Sequence, residues 1–364
     1  MKTKAFFTLV MSAAIIVSAV IFAPKSNLES FTLLCAGAAM PQGSIQMLSD
    51  SFKPTEKTTV EATAKPAKKQ VTQASVTASI TDVPEDIKKL IDKSKVAFVN
   101  QKKDGDIVES TYNISDGNCS YQNVAVKNAT ETATVNVEKT LNEPINLKID
   151  KSKPSVFIFH THTTEGYEIL DRNFYASDYV SRTEDITKSV VRVGTEIEKT
   201  LKAQGFNVIH DTKIYDSRYD GAYERSRVTV KKYLEKYPSL QVILDVHRDA
   251  IQTDDGTKYK PVNTIMGKKA AQIMLVTGCQ EQGIEDYPNW YENLKFTLKL
   301  QKSCEDNFSG LMRPVSFCAR RYNMHLAPCS ILCEFGSDAN TLDEAVYSGR
   351  LFAISLAKML NKYV

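Results

Sequence analysis

No Cys-x-x-Cys pair occurs in the 364 residues. The seven cysteines (Cys35, Cys119, Cys279, Cys304, Cys318, Cys329 and Cys333) are odd in number and scattered along the chain. That pattern is not a disulfide framework. Cys329 and Cys333 fall on one expected strand, roughly 13 Å apart at about 3.3 Å per residue, too far to bridge. The cysteines read instead as small buried apolar residues. An excess of one charge is also lacking: 46 Lys+Arg against 43 Asp+Glu leave a formal net charge of +3. No Lys/Arg tract is interleaved with aromatics, so no nucleic-acid partner is expected. Hydrophobic content of 42% and charged content of 24% are ordinary for a soluble protein.

Long apolar runs are almost absent, with one exception. Phe6 to Ala23 is uncharged and follows Lys2 and Lys4. Its length is near the lower limit for a membrane span. Ile21-Phe22-Ala23 followed by Pro24 is a poor cleavage motif, so residues 1–24 read as an uncleaved signal anchor rather than a removed signal peptide. The leading lysines would hold the N-terminus in the cytoplasm, leaving the rest of the chain at the cell membrane on the extracytoplasmic side. Cys35 follows Leu33-Leu34 rather than a small residue, which argues against lipidation. Residues 25–82 read as a disordered tether, because Leu48 to Ser79 is rich in Thr, Ala, Lys, Ser and Pro without periodicity. Such a coil reaches roughly 40 Å by the square-root rule.

Residues 83–150 read as a small β-rich lead-in, with a short helix near Val83–Ile91 and alternating β-branched residues between Tyr112 and Val137. From 151 to 364 the pattern becomes strand–helix alternation. Strands are expected at Val156–His160, Phe206–His210, Val242–Val246, Ile273–Thr277 and Ser330–Glu334. Helices are expected at Ile186–Gln204, Tyr223–Tyr237, Tyr291–Cys304 and Leu342–Leu360, the last opened by a capping box of Thr341 and Glu344. The alternation predicts an α/β domain whose mostly parallel sheet is flanked by helices.

Three polar clusters end predicted strands: His160/His162/Glu165, His247-Arg248-Asp249, and Glu334. Parallel strands gather their C-terminal ends at one edge, where ligands bind. Neutral imidazoles from His162 and His247 with the Glu165 carboxylate would make a His2Glu shell for Zn2+ with a position open for water. A second carboxylate is then needed as base, and Glu334 is the candidate. His160 would support the ligands from behind, while Arg248 and Asp249 would orient the shell or hold substrate. His210 reads as structural or surface, and His325 could line the cleft. Each residue has a plainer reading: a strand-end histidine is commonly only hydrogen-bonded, and Glu334 could pair with a buried arginine.

The motifs His160-Thr161-His162-Thr163-Thr164-Glu165, Tyr223-Glu224-Arg225-Ser226-Arg227, Leu244-Asp245-Val246-His247-Arg248-Asp249, Asn289-Trp290-Tyr291-Glu292-Asn293-Leu294, Arg321-Tyr322-Asn323 and Glu334-Phe335-Gly336-Ser337-Asp338-Ala339-Asn340-Thr341 occur in order over about 155–364. Together they resemble the stage II sporulation protein P family. The resemblance implies a membrane-anchored cell-wall hydrolase of endospore formers, with an amidase-like fold and Zn2+ as cofactor. It would cut the N-acetylmuramoyl-L-alanine amide of peptidoglycan, and peptide cross-links, alongside stage II sporulation proteins D and M during engulfment. It also implies His162, Glu165 and His247 on the metal and Glu334 as base, although Glu165 lies closer to the first histidine than in related amidases. Arg321 and Asn340 enter as substrate-side or supporting residues. A non-catalytic wall- or partner-binding module and a metallocarboxypeptidase-type hydrolase are the alternatives.

Overall fold

The centre of the molecule is built from short apolar segments that bury both faces. The computed structural model describes residues 80–281 and 283–364, all within one compact unit spanning 62–364. The expected anchor (1–24), the expected tether up to residue 79, and Cys35 lie outside the described residues. In chain order the elements are α1 (Glu85–Ala97), β1 (Lys103–Ser110), β2 (Cys119–Tyr121), β3 (Val124–Asn128), α2 (Val137–Asn142), β4 (Pro154–Phe159) and β5 (Phe174–Ala176). Then follow α3 (Val190–Ala203), β6 (Asn207–His210), α4 (Ala222–Lys236), β7 (Val242–Asp249), β8 (Lys258–Ile265), β9 (Lys268–Ala271) and β10 (Ile273–Gly278). The chain closes with α5 (Trp290–Asn307), β11 (Val315–Cys318), β12 (Ser330–Ser337) and α6 (Leu342–Leu360).

An eight-stranded sheet has the order β2-β3-β11-β10-β12-β7-β4-β6, and a second sheet has the order β5-β1-β8-β9. The main sheet is mixed rather than mostly parallel. β12, β7, β4 and β6 form a parallel block, but β10 runs antiparallel to β12. The reason lies between β7 and β10. Parallel neighbours need a crossover, usually a helix, whereas this stretch is the antiparallel hairpin β8–β9. β1 joins β8 in parallel and β3 joins β11, so residues before 150 contribute strands to both sheets.

Side chains alternate across a strand. On β7, Val242, Leu244 and Val246 enter the large core with α3, α5 and α6, while Ile243 packs with Phe157, Phe159 and Val230 of α4. Asp245 and His247 therefore share the α4 face. Glu334 is in register with His247 on the neighbouring strand, and Leu332 with Asp245. Asp245, His247 and Glu334 thus lie on one sheet face, beneath the start of α4.

α6 begins where the capping box predicted, with Thr341 Oγ1 accepting from Glu344 N at 3.2 Å and Glu344 Oε2 accepting from Thr341 N at 3.0 Å. The six cysteines among the described residues are free, and Cys279, Cys304, Cys329 and Cys333 are buried. No helix among the described residues is long and apolar enough to cross a membrane.

Lys260 on β8 is 1% exposed and reaches Asp171 (2.7 Å), Glu344 (3.0 Å) and Glu109 (3.1 Å). It ties the smaller sheet to the first turn of α6. Removing its ammonium strands Glu344, which is buried, while Asp171 and Glu109 are half exposed and can hydrate. Lys260→Met should cost about 3 kcal/mol in urea unfolding, the usual penalty for breaking a buried pair on one side. Glu305 on α5 accepts from Gly310 N and Met312 N. Burial nevertheless pushes its carboxyl up to about 7, against the pull of those backbone N–H groups. A raised acid stabilises the fold fully below its unfolded value, and that contribution is lost as pH rises through the folded value. The urea midpoint should therefore decline from about pH 4.5 to about pH 7, and Glu305→Gln should flatten that decline.

Candidate active site

The site begins with the turn after β4. Glu165 N donates to the His162 carbonyl at 3.2 Å, so the H-x-x-E spacing closes into a single turn. Glu165 Oε2 then accepts from Arg248 N at 3.1 Å and lies 3.3 Å from His247 Nδ1. The turn is thereby fastened to β7, and the His162 and His247 rings meet edge to face at 5.4 Å. Glu334 stands beside His247 through strand register. The His162–Glu165 turn, His247 and Glu334, three segments distant in sequence, are brought together.

Two carboxylates absent from the expected set complete the surroundings. Asp245 accepts from Thr161 N and Oγ1 at 2.8 and 2.7 Å, and its Oδ1 is 2.8 Å from His247 Nε2. That contact is close but poorly aligned, and His247 Nε2 has no hydrogen-bond partner. Asp216 accepts from Thr164 N and Oγ1 and from Arg182, and lies 3.8 Å from His162 Nδ1, which is also unpartnered. Asp245 was detectable as a charged residue inside an apolar strand, two positions before His247 and hence on its face. Asp216, on a loop after β6, carries no such signal.

Charge in this pocket is strongly shifted. Burial works against the Glu165 carboxylate, but His247, Arg248 and His162 outweigh it and hold it below the usual range. Burial also opposes charge on His247, yet Asp245 and Glu165 raise it well above an ordinary histidine. Glu334 goes the other way: burial pushes it up to about 8, with Asp249 and Glu165 adding to the rise and His247 opposing it. Its Oε2 is buried without a partner.

An aromatic wall covers one side. Tyr219 stacks on His162 at 4.6 Å with the rings 2° from parallel, and Tyr223 meets the same ring edge-on at 5.5 Å. Tyr322 leans on Tyr223 at 5.3 Å. Asn323, at φ 61°, clamps this wall by donating to Tyr223 O and Ser226 Oγ.

The remaining expected residues sit further out. Arg248 is buried and donates to the carbonyls of Gly166 and Ser181, both at 2.6 Å, so it braces the turn. Asp249 pairs with Arg313 at 2.9 Å. Arg321 is exposed and donates to Glu285 O, away from the histidines, whereas its neighbour Tyr322 does reach the wall. Asn340 is fully buried, accepts from Ser337 N and donates to Pro261 O and Glu344; it shapes the loop after Glu334. His325 meets Tyr287 edge-on at 6.4 Å. His160 points to the opposite sheet face, where it meets His210. The His210 side chain is therefore buried and structural rather than on the surface.

Among the described residues no three His, Cys, Asp or Glu side chains converge as a ready metal cluster. The donor types nevertheless fit a divalent ion. His162 has Asp216 3.8 Å from its Nδ1, and His247 has Asp245 2.8 Å from its Nε2. A carboxylate on one ring nitrogen is the usual support for a histidine that offers its other nitrogen to a metal.

Residues 49–357 match the family model described as stage II sporulation protein P. The chain belongs to that family. Stage II sporulation protein P of Bacillus subtilis (strain 168) is 29% identical over 232 residues, covering 59% of this chain and 54% of that protein. The chain thus spans about half the length of this curated family member. Two solved structures are also similar. The N-acetylmuramoyl-L-alanine amidase AmiC2 of Nostoc punctiforme is 13% identical, with TM-score 0.34, covering 59% of this chain and 98% of that one. The CwlD amidase from Clostridioides difficile, solved with the GerS lipoprotein, is 12% identical, with TM-score 0.36, covering 57% and 98%. At these scores the functional reading of this family member rests on its own site.

Gly336, two residues after Glu334, has φ +67°, and a Cβ there would lie 2.4 Å from Asn340 Oδ1 and 2.9 Å from Ala271 Cβ. Gly336→Ala should cost about 1–3 kcal/mol from the left-handed backbone alone. A crystal structure of the variant should show Asn340 expelled from its bond to Ser337.

Proposed function

We propose that this family member is a membrane-anchored peptidoglycan hydrolase that cuts the N-acetylmuramoyl-L-alanine amide, and peptide cross-links besides, with zinc-activated water during engulfment in sporulation. The observation that carries the reading is Glu334: a half-buried residue whose Oε2 is buried and uncommitted, set beside His247 and the Glu165 carboxylate.

His162, His247 and Glu165 would hold the Zn2+, which when bound supplies a water of lowered pKa and polarises the scissile carbonyl. The protein groups divide the remaining work. Glu334, raised towards neutrality, takes the proton from the attacking water and delivers it to the leaving nitrogen. Arg248 holds the Glu165 turn in place through two carbonyls and its own N–H. Asp245 and Asp216 set the orientation of the two imidazoles. Tyr219, 61% exposed, and Tyr223 present flat apolar surface beside the histidines, suited to a sugar ring or a peptide backbone. Anchor, tether and action with stage II sporulation proteins D and M belong to the same proposal, with family membership as their support.

Purified chain should carry about one zinc and lose wall-cleaving activity with a chelator. His162→Ala and His247→Ala should each lose the metal; retention of full zinc and full activity by both ends the assignment. Glu334→Gln should keep zinc while turnover drops about 10²–10⁴-fold, the range for losing a general acid–base. Muropeptide analysis reads the bond cut: free stem peptides mean amidase, opened cross-links mean endopeptidase, and single released C-terminal residues mean a carboxypeptidase.

A further inference from the structure

Behind the site, on the opposite sheet face, lies a hydrogen-bonded chain that the chemistry above does not use. His160 Nδ1 is 2.8 Å from the Val246 carbonyl, His160 Nε2 is 2.8 Å from His210 Nε2, and His210 Nδ1 is 3.1 Å from Glu198 Oε2. His160 is fully buried and the His210 side chain 3% exposed. α3 is shaped for the pair. A Cβ on Gly194 would sit 2.7 Å from His160 Cε1 and Nε2 and 2.8 Å from His210 Nε2, so only glycine leaves the slot open. Glu198 lies one turn later on the same face of α3.

The geometry limits where the protons can be. A carbonyl only accepts, so His160 Nδ1 carries hydrogen. A carboxylate only accepts, so His210 Nδ1 carries hydrogen too. One proton must then lie between the two Nε2 atoms, and the ring that owns it is an imidazolium. His210 has the Glu198 carboxylate against it, while His160 is sealed in the interior facing a neutral carbonyl. A buried charge needs a partner, so the proton belongs to His210. The Glu198 carboxyl is held down to about 2, chiefly by its hydrogen bond to His210. The chain ends on the Val246 carbonyl, in the same peptide group as the His247 N–H.

We propose that His210 and Glu198 are positioning residues for the hydrolytic site: they lock His160 in the Nδ1–H tautomer, and His160 in turn fixes the Val246–His247 peptide and with it the placing of His247 beside Glu334. The proposal rests on the zinc hydrolase reading above.

Histidine-selective 15N NMR of the full-length chain tests it at the level of protons. Wild type should show His160 as Nδ1–H with an accepting Nε2, and His210 protonated on both nitrogens. A wild-type His160 in the other tautomer, or a His210 protonated on one nitrogen, overturns the proposal. In His210→Phe, His160 should lose its single tautomer, zinc affinity in a titration of metal-free protein should fall about 10–100-fold, and kcat should drop with KM unchanged. Circular dichroism establishes that the variant is folded. If it is not, Glu198→Gln serves instead: it keeps size and an accepting oxygen, and should return His210 to a singly protonated ring with a smaller loss of zinc affinity in the same direction. A folded variant with unchanged His160 signals, zinc affinity and kcat refutes the positioning role. If wild type neither binds zinc nor cuts wall, the hydrolase reading fails, and the proton assignments still stand or fall on their own spectrum.

Discussion

Everything at the site hangs on the parallel pairing of β12 with β7. It sets Glu334 beside His247 and Leu332 beside Asp245, and it fixes which sheet face carries the chemistry. A shift of one residue would turn Glu334 into the apolar core and bring Cys333 or Phe335 to the site, because side chains alternate. The shift is blocked on both sides. Cys333 and Phe335 fill the large core, and Gly336 with Asn340 forces the strand to end where it does. The H-x-x-E turn is then docked onto this pair rather than forming a site of its own.

Buried charge is used throughout as a fastening. Arg248 closes the turn on carbonyl oxygens, Asp245 receives both the N–H and the hydroxyl of Thr161, and Lys260 gathers carboxylates from β1, the loop after β4, and α6. Lys258 pairs with Asp338 at 2.7 Å while lying over Tyr175 and Tyr179. Such pairs add little net stability, since desolvation offsets their attraction. Their effect is selective: misplacing an element by one turn leaves a charge bare. The loop after Glu334 is bounded by these contacts, through Asp338, Asn340 and Glu344, so the catalytic candidate inherits its position from charges that never touch it.

That use of charge explains what was legible in the sequence. The parallel block, the helices on its faces and the capped start of α6 stood out because apolar runs and Thr-x-x-Glu spacing signal them directly. β1, reading Lys-Asp-Gly-Asp-Ile-Val-Glu-Ser, and β8, reading Lys-Tyr-Lys-Pro-Val-Asn-Thr-Ile, did not. Their lysines and acids suggest solvent, and only cross-strand partners distant in sequence make them strands. Thr130 to Val137 alternates as a strand should, yet forms a loop leading into α2, because the Asn128 and Thr130 side chains both donate to Ala133 O and fold it back. At the site, His162, Glu165, His247 and Glu334 were readable as polar residues closing apolar runs. Asp216, Tyr219 and the His160–His210 contact were not, since each depends on a loop or helix folding back over the sheet.

The strand order also bears on how the molecule comes into being. β3 pairs with β11, with Val126 opposite Val315, and β1 pairs with β8, with Ile107 opposite Lys258. Both are parallel pairings between strands far apart in the chain, and contacts of that kind form late because a long loop must close first. β1 can pair early with β5 and β3 with β2, but neither pair joins the rest of its sheet until β8 and β11 exist, and Glu334 follows both. During synthesis, a chain that has not yet reached β12 therefore holds the two histidines without their neighbouring carboxyl. Assembly of the site thus waits for β12 to be made.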